Sequence, residues 1–279
     1  MMGSLLLVDA GATKTAFAVV REGSVVCRHV GKGINPNYTS DAVIEEILSE
    51  FVRERGMSGD IQQVRYYGAG CASLENAGRM GCVLQSFFPE AKIQVYSDLM
   101  AVCHALSRDK RSIVGILGTG AATCLFDGVN MENRAPSLGY MLGDEGSGTN
   151  LGKRLLIAYL RGLLPPAVAA DLQREHKLTF DVAIHRVYQE SAPNQFWASL
   201  APFVGNHLDD PFIRQLAIGA FRDFFSIQKS YYDEAETLGW NLSGSVAFHF
   251  QEVVCEAAAI EHCCVENIVE APMPLLVKQ

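Results

Sequence analysis

The sequence predicts two α/β lobes, the second carrying a helical insertion, and three observations carry that expectation. The chain has 279 residues, more than one ordinary domain, and 49% of them are hydrophobic, which is enough for a folded core. The first third alternates as β-β-β-α-β-α-β-α. A strand–glycine turn–strand device then occurs twice, at Asp9–Thr15 and again at Gly118–Ala121.

Taken in order, Ser4–Asp9 holds the continuous run Leu5, Leu6, Leu7 and Val8, the pattern of a strand covered on both faces. Thr15–Val20 and Val25–Val30 follow as strands, joined by a short Arg-Glu-Gly turn, and the three form a meander. Gly31–Asn37 is a loop. Val43, Ile44, Ile47, Leu48 and Phe51 then recur at helical spacing and predict a helix over Ser40–Arg55. Val64–Tyr67 and Ile93–Tyr96 are strands, with helices over Leu74–Phe88 and Asp98–Leu106. Ser107–Arg111 is polar and marks the lobe boundary, giving lobes of residues 1–107 and 108–279. Ile113–Leu117 and Ala121–Phe126 repeat the opening strand pair. Helices dominate from Thr149, with a long one over Phe212–Ala235, a short strand at Leu242–Ser245 and a helix over His249–Cys264.

Several function classes are set aside at this stage. A net charge of −8 without any basic block argues against nucleic acid or an anionic membrane as partner. No stretch approaches the roughly 20 apolar residues of a membrane span, and no signal peptide precedes the first strand, so a cytoplasmic protein is expected. The eight cysteines contain no C-x-x-C pair and read as reduced, buried thiols.

The segment Asp9-Ala10-Gly11-Ala12-Thr13-Lys14-Thr15 sits on a hairpin between buried strands. Its small residues let backbone N–H groups approach phosphate oxygens, while Thr13, Lys14 and Thr15 add side-chain donors. Asp9, at the strand end, suits a Mg²⁺ held through water. It is no Walker A loop, because the turn leads into a strand rather than a helix. Gly118-Thr119-Gly120 supplies a second cradle, and two cradles facing across a cleft hold a polyphosphate from both sides. Asp98 reads as a helix cap, since a carboxylate meets the positive helix end. Gly139-Tyr140-Met141-Leu142-Gly143-Asp144-Glu145-Gly146-Ser147-Gly148 reads as a helix-entry loop with Ser147 or Thr149 as cap. Its acids suit hydroxyls of a polyol.

In their order along the chain, these motifs resemble the phosphate-1, phosphate-2 and adenosine elements of the actin/hexokinase/Hsp70 ATPase superfamily. The adenosine element is matched by Leu242-Ser243-Gly244-Ser245-Val246. The G-x-x-x-G-D-E-G-S loop is similar to that of N-acetylglucosamine kinases in the BadF/BadG/BcrA/BcrD ATPase group. The resemblance implies two ribonuclease H-like lobes with ATP and Mg²⁺ in the interlobe cleft. It implies that Gly11, Ala12, Gly118, Thr119, Gly120, Gly244 and Ser245 hold the nucleotide and that Asp98 is the general base. It assigns Asn37 or Asn35, Gly70, Gly139, Asp144 and Glu145 to a small amino sugar phosphorylated on its 6-hydroxyl, and a homodimer is usual in that family. Three departures bear on sugar identity or the first cradle: Ala121 where serine is common, Leu138 where an aromatic is common, and Ala10 and Ala12 in place of glycines. An activator ATPase of 2-hydroxyacyl-CoA dehydratases, which needs cysteines absent from Gly143–Ser147, and a non-catalytic sugar sensor or filament ATPase are the alternatives.

Overall fold

The computed structural model describes residues 4–11, 13–55 and 60–278. They form two compact units, Met1–Arg108 with Ala271–Gln279, and Asp109–Glu270. The chain runs β1 (Ser4–Ala10), β2 (Lys14–Arg21), β3 (Ser24–Lys32), α1 (Asp41–Arg55), β4 (Ile61–Gly68), α2 (Leu74–Phe87), β5 (Lys92–Ser97) and α3 (Asp98–Leu106). The second unit continues with β6 (Ser112–Leu117), β7 (Ala121–Phe126) and β8 (Met131–Arg134). There follow α4 (Gly139–Leu142), α5 (Gly148–Leu160), α6 (Pro166–His176), α7 (Phe180–Tyr188), α8 (Pro193–Ser199), α9 (Ala201–Asn206) and α10 (Pro211–Lys229). It closes with β9 (Gly239–Ser243), α11 (Ser245–His249), α12 (Gln251–Ile260) and β10 (Cys264–Val269), after which α13 (Met273–Leu276) returns to the first unit.

Each unit contains one five-stranded sheet, and the two share an order. The first is β3-β2-β1-β4-β5 and the second β10-β9-β6-β7-β8, which read from the other edge places the unit's own strands in the same sequence 3-2-1-4-5. In each, the first three strands are an antiparallel meander and the last two run parallel to the first.

The continuous apolar run of β1 has a simple cause. Leu6 and Val8 face a core filled by Ile44, Ile47 and Phe51 of α1 and Met80 and Leu84 of α2. Leu7 faces the other side, against Ala101 of α3 and Met273 and Leu276 of α13. A strand covered on both faces has no polar side to show. The second unit has one large core in which β6 and β9 pack against α5, α8, α10 and α12. Where the first unit crosses from its third strand to its fourth through α1 alone, the second uses the seven helices α4–α10, the insertion expected from sequence.

Four expectations need correction. The long helix stops at Lys229 rather than Ala235, because the chain turns there and Tyr232 swings its hydroxyl to Thr123 Oγ1 (2.7 Å) and the Ala135 N–H (3.1 Å). The last helix ends at Ile260, His262 takes a left-handed conformation, and Cys264–Val269 is a strand paired with β9. Of the cysteines, Cys82, Cys255 and Cys264 are exposed rather than buried, on the solvent sides of α2 and α12 and at the start of the edge strand β10. The final residues, expected in the second lobe, cover the α3 face of the first unit through α13. Among the described residues no helix is long and apolar enough to cross a membrane.

Helix α5 lies so close to α8 that a Cβ at Gly152 would overlap the Trp197 carbonyl. Backbone cannot move aside as a flexible side chain can. Gly152→Ala is expected to lower Tm by roughly 5–10 °C, read by calorimetry.

Candidate functional site

In the first unit the parallel strands β1, β4 and β5 end level with one another. Ala10 pairs with Gly68, and Gly68 with Ser97. The carboxyl edge of a parallel sheet is where open α/β folds take ligands. Asp9 stands there half-buried, followed by the turn that the Gly11 N–H closes on the Lys14 carbonyl at 2.9 Å. Ala10 and Thr15 are the last pair of the hairpin, and the Ala69 N–H ties β4 to the Ala10 carbonyl at 2.9 Å. Thr13 and Lys14 are exposed on the turn. Ala12 lies outside the described residues.

Asp98 begins α3 beside this edge, and the structure corrects its expected capping role. Ser97 is the N-cap, while Asp98 is the first helical residue and its Oδ1 accepts the Leu99 N–H at 2.9 Å. Two carboxylates therefore lie close together. Burial first, and the Asp98 charge second, push the Asp9 carboxyl up to about 6, against the opposing pull of Lys14. Two buried hydroxyls at the same edge, Thr15 Oγ1 and Ser97 Oγ, have no hydrogen-bond partner. Unmade bonds of this kind are costly, about 1–3 kcal/mol each, and mark a place built for a ligand or its water. The Asp9 carboxylate is an oxygen donor at the strand end, which suits a Mg²⁺ that keeps its own waters.

A second cluster in the first unit gathers Asn35, Asn37 and Gly70. Asn35 folds its loop inward: its carbonyl accepts the N–H groups of Tyr38 (2.9 Å) and Thr39 (2.8 Å), and its Oδ1 accepts the Asn37 N–H (3.0 Å). Gly70 has φ +83°, and a Cβ there would overlap Asn35 Oδ1 and come within 3.0 Å of Asn37 Nδ2, so glycine is required for two reasons. Sequence reasoning missed two residues of this cluster. Asn76 donates to Asn37 Oδ1 (2.7 Å) and to the Gly70 carbonyl (2.9 Å). Arg79 spreads its donors over Asp41 Oδ1 (2.6 Å), the Pro36 carbonyl (2.6 Å) and the Thr39 carbonyl (2.9 Å). Their signal was two polar residues three apart in α2, a helix whose buried residues are Met80, Val83 and Leu84.

In the second unit three separated motifs converge on one turn. The Gly118 N–H bonds the Gly120 carbonyl at 3.0 Å. The Gly118 carbonyl accepts the Gly148 N–H (2.8 Å), and the Thr119 carbonyl accepts both the Thr149 N–H (3.2 Å) and its hydroxyl (2.7 Å). The acidic loop is thereby fastened along the G-T-G turn. Gly244 closes in from the other side with φ +118°, where a Cβ would overlap the Leu117 carbonyl. Ser245 is exposed and opens α11.

Asp144 is the residue this convergence places on the turn. Its Oδ1 accepts the Ala121 N–H at 3.2 Å, and its Oδ2 lies 3.0 Å from the position of a Cβ at Gly120. It is held in a left-handed conformation, φ 58°, that a non-glycine residue adopts only when its surroundings fix it. Burial raises its pKa, the Ala121 N–H lowers it, and Glu145 raises it. Ser147 is the cap of α5, accepting the Asn150 N–H at 3.2 Å. Gly139, with φ +72°, opens α4 and has open space around it.

Residues 7–204 match the model of the BadF/BadG/BcrA/BcrD ATPase family. The chain belongs to that family. A protein of Porphyromonas gingivalis, provisionally assigned as an N-acetylglucosamine kinase, is 34% identical and superposes with TM-score 0.93 over 98% of this chain and 97% of its own. A protein of Chromobacterium violaceum with the same provisional assignment shares the fold at 18% identity, TM-score 0.74, over 100% of this chain and 99% of its own. So does a glucokinase of the ROK family from Streptomyces griseus, solved with glucose and AMPPNP, at 16% identity, TM-score 0.62, over 96% and 94%. No curated protein matches.

The Asp9 environment gives a pH test in this ATPase. A carboxyl whose folded pKa exceeds its unfolded value favours the protonated folded state, so stability falls as pH rises through about 6. Asp9→Asn is expected to stabilise the unliganded protein by about 2 kcal/mol above pH 7, with the gain gone near pH 4. Urea unfolding across that range checks it.

Proposed function

We propose that this protein is an ATP-dependent sugar kinase that transfers the γ-phosphoryl group to the 6-hydroxyl of N-acetylglucosamine or a related amino sugar. The observation that carries the reading is Asp144 on the Ala121 N–H. It brings an acid suited to sugar hydroxyls to within one hydrogen bond of a turn suited to phosphate. A phosphoryl acceptor and donor must meet at such a distance. The end-to-end likeness to the P. gingivalis protein, at 34% identity, supports the same choice of substrate.

In this reading the Asp9–Thr15 and Gly118–Gly120 turns meet the phosphates through the N–H groups not spent on closing the turns themselves, and Gly244 and Ser245 line the adenosine. Asn35, Asn37, Gly70, Gly139, Asp144 and Glu145 are the residues proposed to contact the sugar. Asp98 accepts the proton of the 6-hydroxyl as its oxygen bonds to the γ-phosphorus. The bond from that phosphorus to the bridging oxygen breaks, and its electron pair leaves with ADP. Mg²⁺, when bound, neutralises charge on the phosphate oxygens. Asp9 is the residue that would hold its water shell. Ala121 in place of serine leaves its backbone N–H, rather than a hydroxyl, to orient Asp144. Dependence on ATP makes the cytoplasm the natural compartment.

A coupled ADP-release assay over N-acetylglucosamine, glucosamine, N-acetylmuramic acid and glucose is expected to show sugar-dependent turnover with an amino sugar preferred. Turnover with none of them sinks the kinase reading. Asp98→Asn is expected to lower kcat at least about a hundredfold, the usual contribution of a general base, while ATP binding by calorimetry stays within about twofold. Near wild-type kcat in that variant removes Asp98 from the mechanism.

A further inference from the structure

The loop of Asn35 and Asn37 is not held by its own turn alone. Asn76, on α2, presents one amide NH₂ group to two acceptors, Asn37 Oδ1 at 2.7 Å and the Gly70 carbonyl at 2.9 Å. Its position is itself fixed, since its backbone N–H is the one that Ser73 Oγ accepts to cap α2, at 3.2 Å. Three residues further on, Arg79 ties the Pro36 and Thr39 carbonyls and Asp41 to the same helix. Helix α2 therefore serves as a ruler against which the exposed Asn37 is set.

Chemistry gives this arrangement a direction. An asparagine amide has an acceptor end and a donor end, and without a partner the two exchange by rotation about the terminal torsion. Asn76 takes the acceptor end of Asn37. The Asn37 N–H is already given to Asn35 Oδ1. With Asn76 on Oδ1, the end of the Asn37 amide with no bond made is Nδ2, whose two hydrogens lie beside the bare Cα of Gly70.

We infer that Asn76 is a positioning residue for the sugar site: it fixes the Asn37 amide so that its NH₂ group, and not its carbonyl, meets the acceptor. This rests on the kinase reading and deepens it. The first unit then supplies a hydrogen-bond donor to an oxygen of the sugar. The class of ligand is one that shows an acceptor oxygen, as a neutral sugar or an N-acyl sugar does.

The test is a double-mutant cycle on the best acceptor from the sugar panel, with thermal unfolding alongside. Asn76→Ala is expected to raise KM for the sugar about tenfold or more, to leave KM for ATP within twofold, and to have no further effect in an Asn37→Ala background. Asn76→Asp keeps the size of the side chain but cannot donate and turns a carboxylate on Asn37 Oδ1, so it is expected to be worse than Asn76→Ala. An unchanged sugar KM in both Asn76 variants overturns the inference, as does additivity with Asn37→Ala. Equal losses for sugar and ATP accompanied by a lower Tm overturn it too, since that is the mark of general loosening. These outcomes differ from failure of the kinase reading, in which the wild-type protein itself transfers to no sugar.

Discussion

The crowding around Gly118 is the constraint on which the second unit's site depends. Three stretches of chain, some thirty and a hundred and twenty residues apart, meet on one turn. The Gly118 carbonyl takes the Gly148 N–H, and Gly244 packs on the adjoining peptide with no room for a Cβ. Because the contacts are backbone to backbone, they leave little to the choice of rotamers. The position of Asp144 follows from them: its loop is anchored a few residues downstream, and its left-handed conformation turns the carboxylate back onto the Ala121 N–H.

The first unit obtains an equivalent edge by a different route. Its parallel strands finish in register, so Asp9, Ser97 and Asp98 share a neighbourhood through sheet geometry. The arrangement is uncomfortable without a ligand. One carboxyl is driven toward protonation, and two hydroxyls are buried without partners. Sites that recognise charged ligands commonly hold such unfavourable features and give up stability for them.

Much of this was legible in the chain itself, for identifiable reasons. The strand–glycine turn–strand device could be read because buried parallel strands must be apolar on both sides and phosphate-type turns must be small. The G-D-E-G-S-G loop stood out because glycines and acids between apolar runs suit no regular element. What escaped was tertiary. The short edge strand β8 and the edge strand β10 have little apolar pattern, since an edge strand is half exposed, and the run through Cys263 and Cys264 resembled a continuing helix. Asn76 and Arg79 look like ordinary polar helix residues until the loop they hold is seen beside them. Ser97 rather than Asp98 as the cap of α3 depends on a single backbone conformation that composition does not specify.

The return of α13 to the first unit has a consequence for biogenesis. Leu7, Ala18 and Tyr67 lie under Met273 and Leu276, so the cover of that sheet face is translated after the whole second unit. On the ribosome, the amino-terminal sheet emerges early yet keeps one oily flank bare until residues 273–276 have followed the second unit out. Nascent chains stalled before that point would be natural clients for chaperones.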